Sequence, residues 1–427
     1  MPLPKYESLP IGISYAEWDD LVDYYAGKCA TKLVTMGEGG DYNCDGVNDG
    51  VQIQAAFDAL PAAGGIVFLG KGVYDMQANY GETAEPKTGI YVHNVDKFWL
   101  IGEGFGTILK MSAGADRTIA HIKSCSNFGI KNLAFDCNKA NNTNQDDYPF
   151  THGLLMDFCD NFIVDNIYAY DSRQDGVSSS QNTNGIFSKM LLRGCMLDGF
   201  CGHDQEYNVL IDKCIAWENG HNGISYDMQE QDTGTLHSYD VTIANCIAHD
   251  NTELGISVYQ ANSNMYRMHV IGNKSYDNGF DGMYFDGTID SIIANNIIRN
   301  NSQYGMRVIN SLSNIISNNI IFDNFQHGLS LGASTEDCHN NLVTDNLIHD
   351  NNQDENGWNG IDIYGNYNKI SNNKINDNYG YEIYVRSGTS NELTLNNVLV
   401  VSRSHTGTIA DDGTTTVIEL NNGHSYP

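Results

Sequence analysis

Four titratable side chains recur at one place in a repeating phrase: His203, Asp227, Tyr259 and Asp286 each stand four residues after a glycine, at Gly199, Gly223, Gly255 and Gly282. Imidazole, carboxylate and phenol are groups that take up and return protons when their surroundings tune them. If successive phrases stack about 4.8 Å apart, the four form a stripe roughly 15 Å long. A stripe of acids and bases at fixed spacing suits chemistry on an extended polymer. A carboxylate beside His203 would raise its pKa and hold its ring, and Tyr259 could donate a proton to a glycosidic oxygen or, once deprotonated, act as base. Arg307 could pair with a substrate carboxylate and ease loss of the neighbouring proton. Tyr284 shares the outward face, and Trp358 offers a ring to stack on a sugar. Asp175, Asp198 and Asp281, each just before a repeat glycine, read as turn residues, and Asp198, beside the His203 motif, is also taken as a substrate contact. Against all this stands the plain alternative that an outward His or Asp is simply solvated.

The elements that must hold these groups repeat. The phrases "GNKSYDNGFDGMYFDG", "NNIIRNNSQYGMRVIN" and "NNIIFDNFQHGLSLGA" share a short strand, an Asn- and Asp-rich turn, and a Gly followed by alternating apolar residues. Their glycines run 153, 176, 199, 223, 255, 282, 305, 328 and 360, in steps of 23, 23, 24, 32, 27, 23, 23 and 32. A period near 23 with insertions marks a stacked solenoid. Period-two alternation without a helix-length pattern makes each phrase one turn of a β-coil, laid in parallel on the last. Positions one and three after the Gly are mostly apolar and face inward, so positions two and four face outward. The recurring Asn suits ladders of side-chain amides from coil to coil, and Asn tolerates left-handed backbone. Cys195, Cys214 and Cys246 read as one interior column of free thiols. The insertions "MQEQDTGTLHSYD" and "NQDENGWNG" could wall a cleft.

The N-terminal part differs. "SYAEWDDLVDYYAGK" reads as a short amphipathic helix, opened by a Ser14/Glu17 capping box and stopped at Gly27. A second helix carries Ile53, Ala56, Phe57 and Leu60 on one side and ends at Pro61, and it would shield the edge of the first coil. The segment "CDGVNDGVQIQAAFDALPAAGGIVFLGKGVY" resembles the opening of the pectate-lyase-like superfamily. That resemblance, spanning roughly residues 40 to 400, implies a right-handed parallel β-helix, most of whose relatives act on polysaccharides, and leaves lyases, hydrolases, epimerases and non-catalytic tail proteins open. The expected organisation is an N-terminal arm over 1–40, a parallel β-helix over 41–400 and a C-terminal cap or tail over 401–427, an all-β fold with a helical cap.

"DGFCGHDQEYNVLIDKCIAWENGHNGISYD" further resembles the catalytic region of mannuronan C5-epimerases, which carries tyrosine, glycine, phenylalanine, aspartate, proline and histidine in succession, then a second aspartate one coil on. Gly199, Phe200, His203 and Asp227 match. Asp198 stands where the family has its tyrosine, Cys201 replaces the first aspartate and Gly202 the proline, while Tyr259 lies one coil beyond Asp227. The resemblance implies acid, base or orienting roles for His203 and Asp227, and removal of a uronate C5 proton by an epimerase or a lyase. Two other readings stand beside it: a glycoside hydrolase pairing Asp227 with Asp286 two coils apart, and a non-catalytic glycan-binding virion or tail protein, for which a homotrimer is the expected assembly.

Composition narrows the partners. With 53 acids against 23 bases and a formal net charge of −30, the chain repels nucleic acid and anionic membrane surfaces. An anionic polysaccharide would need a local basic groove or a bound cation such as Ca²⁺; the chemistry itself calls for no cofactor, and a metal site is left open. No apolar run of membrane-spanning length occurs, and there is no CxxC pair for zinc. The start lacks the pattern of a secretory signal, so for an extracellular or virion-borne protein either the signal has been removed or the protein leaves the cell by another route.

Overall fold

The computed structural model describes residues 30–77, 87–142, 151–228, 237–260, 265–333, 338–352, 357–387, 391–394, 398–400, 409–412 and 417–419. The amphipathic segment predicted over 14–27 lies outside the described residues. What is described is a stack of parallel β-coils. Each coil lends one short strand to a 14-stranded sheet and others to a 27-stranded sheet that closes the cross-section. Strand Ala30–Met36 already pairs with Gly65–Leu69, and Glu392–Thr394 pairs with Val417–Glu419, so the stack begins before residue 41 and continues past 400. Among the described residues no helix is long and apolar enough to cross a membrane.

One continuous core fills the coils. Apolar residues at positions one and three after each Gly are fully buried and pair with their equivalents, as in Ile224↔Ile256, Met283↔Met306 and Leu329↔Ile361. The N-terminal end is closed by α1 (Gly50–Asp58), which buries Ile53, Ala56 and Phe57. Leu60, predicted on the same face, lies past the helix end and is only partly buried against the core. Gln54 explains how a helix can cover a sheet edge. Its amide donates to the Tyr91 carbonyl at 2.9 Å and accepts the Tyr91 N–H at 2.8 Å. It thus replaces the strand that Thr88–His93 lacks on that side.

The paired asparagines divide their work. In Asn295-Asn296, Asn300-Asn301 and Asn318-Asn319 the first residue takes a positive φ, in the left-handed region, at the corner between strands. The second is buried in a ladder. Asn219, Asn251, Asn278, Asn301, Asn324, Asn351 and Asn378 pass amide bonds of 2.9–3.0 Å from coil to coil. A second ladder runs Asn273, Asn296, Asn319, Asn346 and Asn373. Cysteines occupy the upstream places of these ladders, which corrects the single-column expectation. Cys195 donates its N–H to Asn219 at the head of the first, whereas Cys246 donates to Asn273 and continues the second. Cys195 and Cys214 stand closer together in the chain than the repeat period, too close for a full coil, so the two sit at different corners.

Candidate active site

The 14-stranded sheet carries the outward column in the expected register. Asp157, Ser180 and His203 are consecutive partners, the strands of His203 and Asp227 are aligned through Gly202↔Tyr226, and Asp227 pairs with Tyr259. The second-position residues Ser178, Cys201, Ser225 and Ser257 are buried despite facing outward. They are small and form a floor, with the longer fourth-position groups rising beside them.

His203 is the best-defined of these groups. Its Nδ1 lies 3.1 Å from the backbone carbonyl of Asp227, and since a carbonyl can only accept, Nδ1 carries the proton. Its Nε2 is 4.0 Å from Asp175 Oδ2, while Cys201 Sγ lies 3.7 Å from Nδ1. The carboxylate that orients the ring is therefore Asp175 from the preceding coil, not the Asp227 side chain. Burial works to lower the His203 pKa, but the Asp175 carboxylate, reinforced by the carbonyl and charge of Asp227, lifts it to about 9.

Asp175 stands at the bend before Gly176, as read from the sequence, and its side chain reaches His203 and His152 as well. It is only 6% exposed, accepts the Asp198 N–H at 3.1 Å and lies 3.5 Å from His152 Nδ1. Burial alone would raise its carboxyl, but the two imidazoles and the Asp198 N–H more than reverse this and hold it below the usual range. Asp198, expected to touch substrate, is also buried, and it accepts the Asn222 N–H at 2.8 Å. Burial first, then the charge of Asp175, push it up to about 8, which favours its protonated form near neutral pH. His152, Asp175 and Asp198 all directly precede repeat glycines in three successive coils. That shared place is visible in the sequence, but it reads only as a turn because strand alternation does not say where a side chain points at the bend before the Gly.

Asp227 is half-buried, and among the described residues no hydrogen-bond donor reaches its carboxylate; its pKa is raised, chiefly by burial. Behind the site Glu206 is fully buried, receives Ser179 Oγ at 2.7 Å, and is pushed up to about 8 by that burial. Gly202 is required by its neighbour: a Cβ there would meet the Tyr226 ring at 2.4 Å.

The remaining predicted residues do not converge on His203. Asp286 is buried and accepts Tyr284 Oη at 3.2 Å and Asn310 Nδ2 at 2.9 Å. Arg307 is in register with Tyr284 on one side and Ser330 on the other, four coils from His203. At about 4.8 Å per coil that is roughly 19 Å along the axis. Trp358 lies further along, edge-on to His327. For a metal, Asp175, Cys201 and His203 offer donor atoms all within 4.8 Å of one another. That mixed oxygen, sulfur and nitrogen set suits a softer ion than Ca²⁺, which takes oxygen ligands.

A family model described as "Right handed beta helix region" matches residues 117–276 and 263–399. The chain belongs to this family. The handedness expected from the sequence follows with it, and right-handed crossovers are the rule for parallel strands. Over 194 residues, 43% of this chain, it is 31% identical to mannuronan C5-epimerase AlgE6 of Azotobacter vinelandii, and it spans 19% of that protein's length. Over a 194-residue match, alginate lyase 7 of the same organism is 27% identical and spanned to 20%. Among solved structures, the A-module of AlgE6 aligns with a TM-score of 0.59 at 21% identity, covering 87% of this chain and 97% of the module. The Dettilon tailspike protein (gp208) aligns with a TM-score of 0.55 at 15% identity, covering 89% of this chain and 68% of the tailspike. These likenesses show the shared fold.

Proposed function

We propose that the chain removes the C5 proton of a uronate residue within a polysaccharide, as an epimerase or a lyase acting outside the cytoplasm, where such polymers occur. The observation that carries this is His203 held between the Asp227 carbonyl and the Asp175 carboxylate, with the Asp227 carboxylate open beside it. The relatives named as mannuronan epimerases and an alginate lyase support the same class of substrate.

A C5 proton becomes removable when the adjacent carboxylate is neutralised, because the developing charge spreads onto its oxygens. His203, kept protonated by Asp175, supplies the cation for that carboxylate. Asp227, its basicity raised by burial, takes the proton. Tyr259, one coil along, completes either outcome. Delivering a proton to the opposite face of C5 inverts the centre, whereas protonating the 4-linked oxygen as the C4–O bond breaks leaves a C4=C5 double bond. The phenol at Tyr259 stands in for the family tyrosine that Asp198 replaces.

A glycan panel tests this. An unsaturated uronate absorbance marks a lyase, and inverted C5 configuration at constant chain length marks an epimerase. New reducing ends without unsaturation would replace the proposal with hydrolysis. Binding without product would replace it with a non-catalytic glycan receptor.

A further inference from the structure

The net charge of −30 makes any cluster of cations on this chain conspicuous. One lies far from His203. A pocket of about 210 Å³ opens on the 14-stranded sheet, lined by Tyr304, Arg307, His327, Trp358, Asp362 and Arg386 among others. Its residues come from the coils beginning at Gly305, Gly328 and Gly360 and the one after, four to seven coils beyond that of His203. At about 4.8 Å per coil it begins roughly 19 Å from the imidazole, too far to share one sugar residue with it.

The charges inside can be assigned from the hydrogen bonds. Arg386 Nε lies 2.8 and 2.9 Å from the two oxygens of Asp362, which is buried, so that pair cancels. His327 Nδ1 accepts the Asn359 N–H at 2.7 Å. This leaves its proton on Nε2, which lies 3.7 Å from Asp362 Oδ2. That ring is neutral and its tautomer is fixed. Arg307 has no ion pair among the described residues; its guanidinium lies over the rings of Tyr284 and Tyr304 at 5.7 and 5.4 Å. Among its lining residues the pocket thus carries one net positive charge, on a planar fork suited to a carboxylate; Asp281, buried behind Tyr304 and within electrostatic reach of Arg307, is pushed up to about 7 by its burial.

Its walls are aromatic. Tyr304 stacks on His327 at 5.4 Å and 9°, and Trp358 meets the same imidazole edge-on at 4.8 Å and 85°. This makes a corner of two ring planes with a guanidinium beside it. The volume is below the roughly 300 Å³ at which drug-sized sites begin, so it suits one sugar ring.

We propose that this pocket is a second binding site, for a single carboxylate-bearing pyranose, which grips the same polymer several residues away from the reacting one. The choice of a uronate rests on the function proposed above; the separation, charge and aromatic corner do not. A polymer held at both places is retained by avidity, so oligomers long enough to bridge the two sites bind more tightly than shorter ones.

The test is equilibrium titration of the full chain carrying His203→Ala, so that turnover is silent, with a uronate monosaccharide, a long oligouronate and a neutral oligoglucoside of equal length. Calorimetry and tryptophan fluorescence both report. The oligouronate should bind, with Arg307→Ala weakening it about tenfold or more and Trp358→Ala removing most of the fluorescence change. The monosaccharide should bind weakly and with the same dependence on Arg307. Unfolding curves establish that each variant is folded, and Arg307→Lys, which keeps charge without the fork, should be intermediate. Equal affinity of folded Arg307→Ala and its parent for the oligouronate would overturn the proposal, as would equal affinity for the neutral oligomer. Because the readout is binding, a wild-type chain that forms no product would sink the proposed reaction and leave this site standing.

Discussion

At the residue scale, the site turns on which carboxylate governs His203. Asp175 holds the imidazole's pKa at about 9, and the same negative charge helps to keep Asp198 protonated up to about 8. If the protonated ring and the neutral Asp198 are both needed, turnover falls as pH rises through about 8 and then about 9, and it also falls on the acid side as Asp227, whose carboxyl is raised by burial, takes up its proton. Asp175→Asn removes the charge that raises both, so the alkaline limb should move to lower pH by roughly one unit or more. Rate profiles and an NMR titration of the His203 ring check this; an unmoved limb would mean that another group sets it. His203→Ala and Asp227→Ala should each lower turnover at least about a hundredfold with folding intact, measured on the active substrate of the glycan panel. Unchanged rates in both would remove the site.

At the scale of strands and corners, the sequence revealed more of the scaffold than of the chemistry. The glycine period and the two-residue alternation were enough to align Asp157, Ser180 and His203, and Asp227 with Tyr259, because register in a parallel stack is set by which face is buried. Alternation says nothing about the residue at a bend. Asp175 and His152 were therefore missed although they sit beside His203, and Asp286 was counted as open although Tyr284 and Asn310 occupy its oxygens. The doublet asparagines were legible as ladders, but their split into a left-handed corner and a buried rung needed coordinates. Two stability predictions belong here. Gly202→Ala drives a Cβ to 2.4 Å from the Tyr226 ring. It should destabilise by about 1–3 kcal/mol in denaturant titration. Asn301→Ala removes the carbonyl that accepts from both the amide and the backbone N–H of Asn278, and leaves Asn324 Oδ1 with the backbone N–H of residue 301 but without its amide donor. It should cost about 1–3 kcal/mol, with faster amide exchange in the coils that flank it rather than at the far ends.

For the whole molecule, a net charge of −30 opposes an anionic polymer while a few cations on one face attract it. The two act over different ranges. Raising ionic strength from 0.01 to 0.1 M shortens the screening length from about 30 to about 10 Å, which silences distant acids before it weakens contacts within a pocket. Association of an oligouronate should therefore quicken over that interval, then slow at higher salt. Stopped-flow measurement decides it: a rate that falls monotonically from the lowest salt would mean that local cations dominate at every distance.

The asparagine ladders pass the same bond from each winding to the next, so a winding between Gly282 and Gly305 sees nearly the same neighbours on both sides. Duplicating that one repeat would insert a spacer that the stack accepts as its own. The reacting centre and the arginine pocket would stay intact while the gap between them lengthened by one fixed notch. The protein is in that sense a ruler, and the lengths of glycan it favours should be adjustable in whole steps.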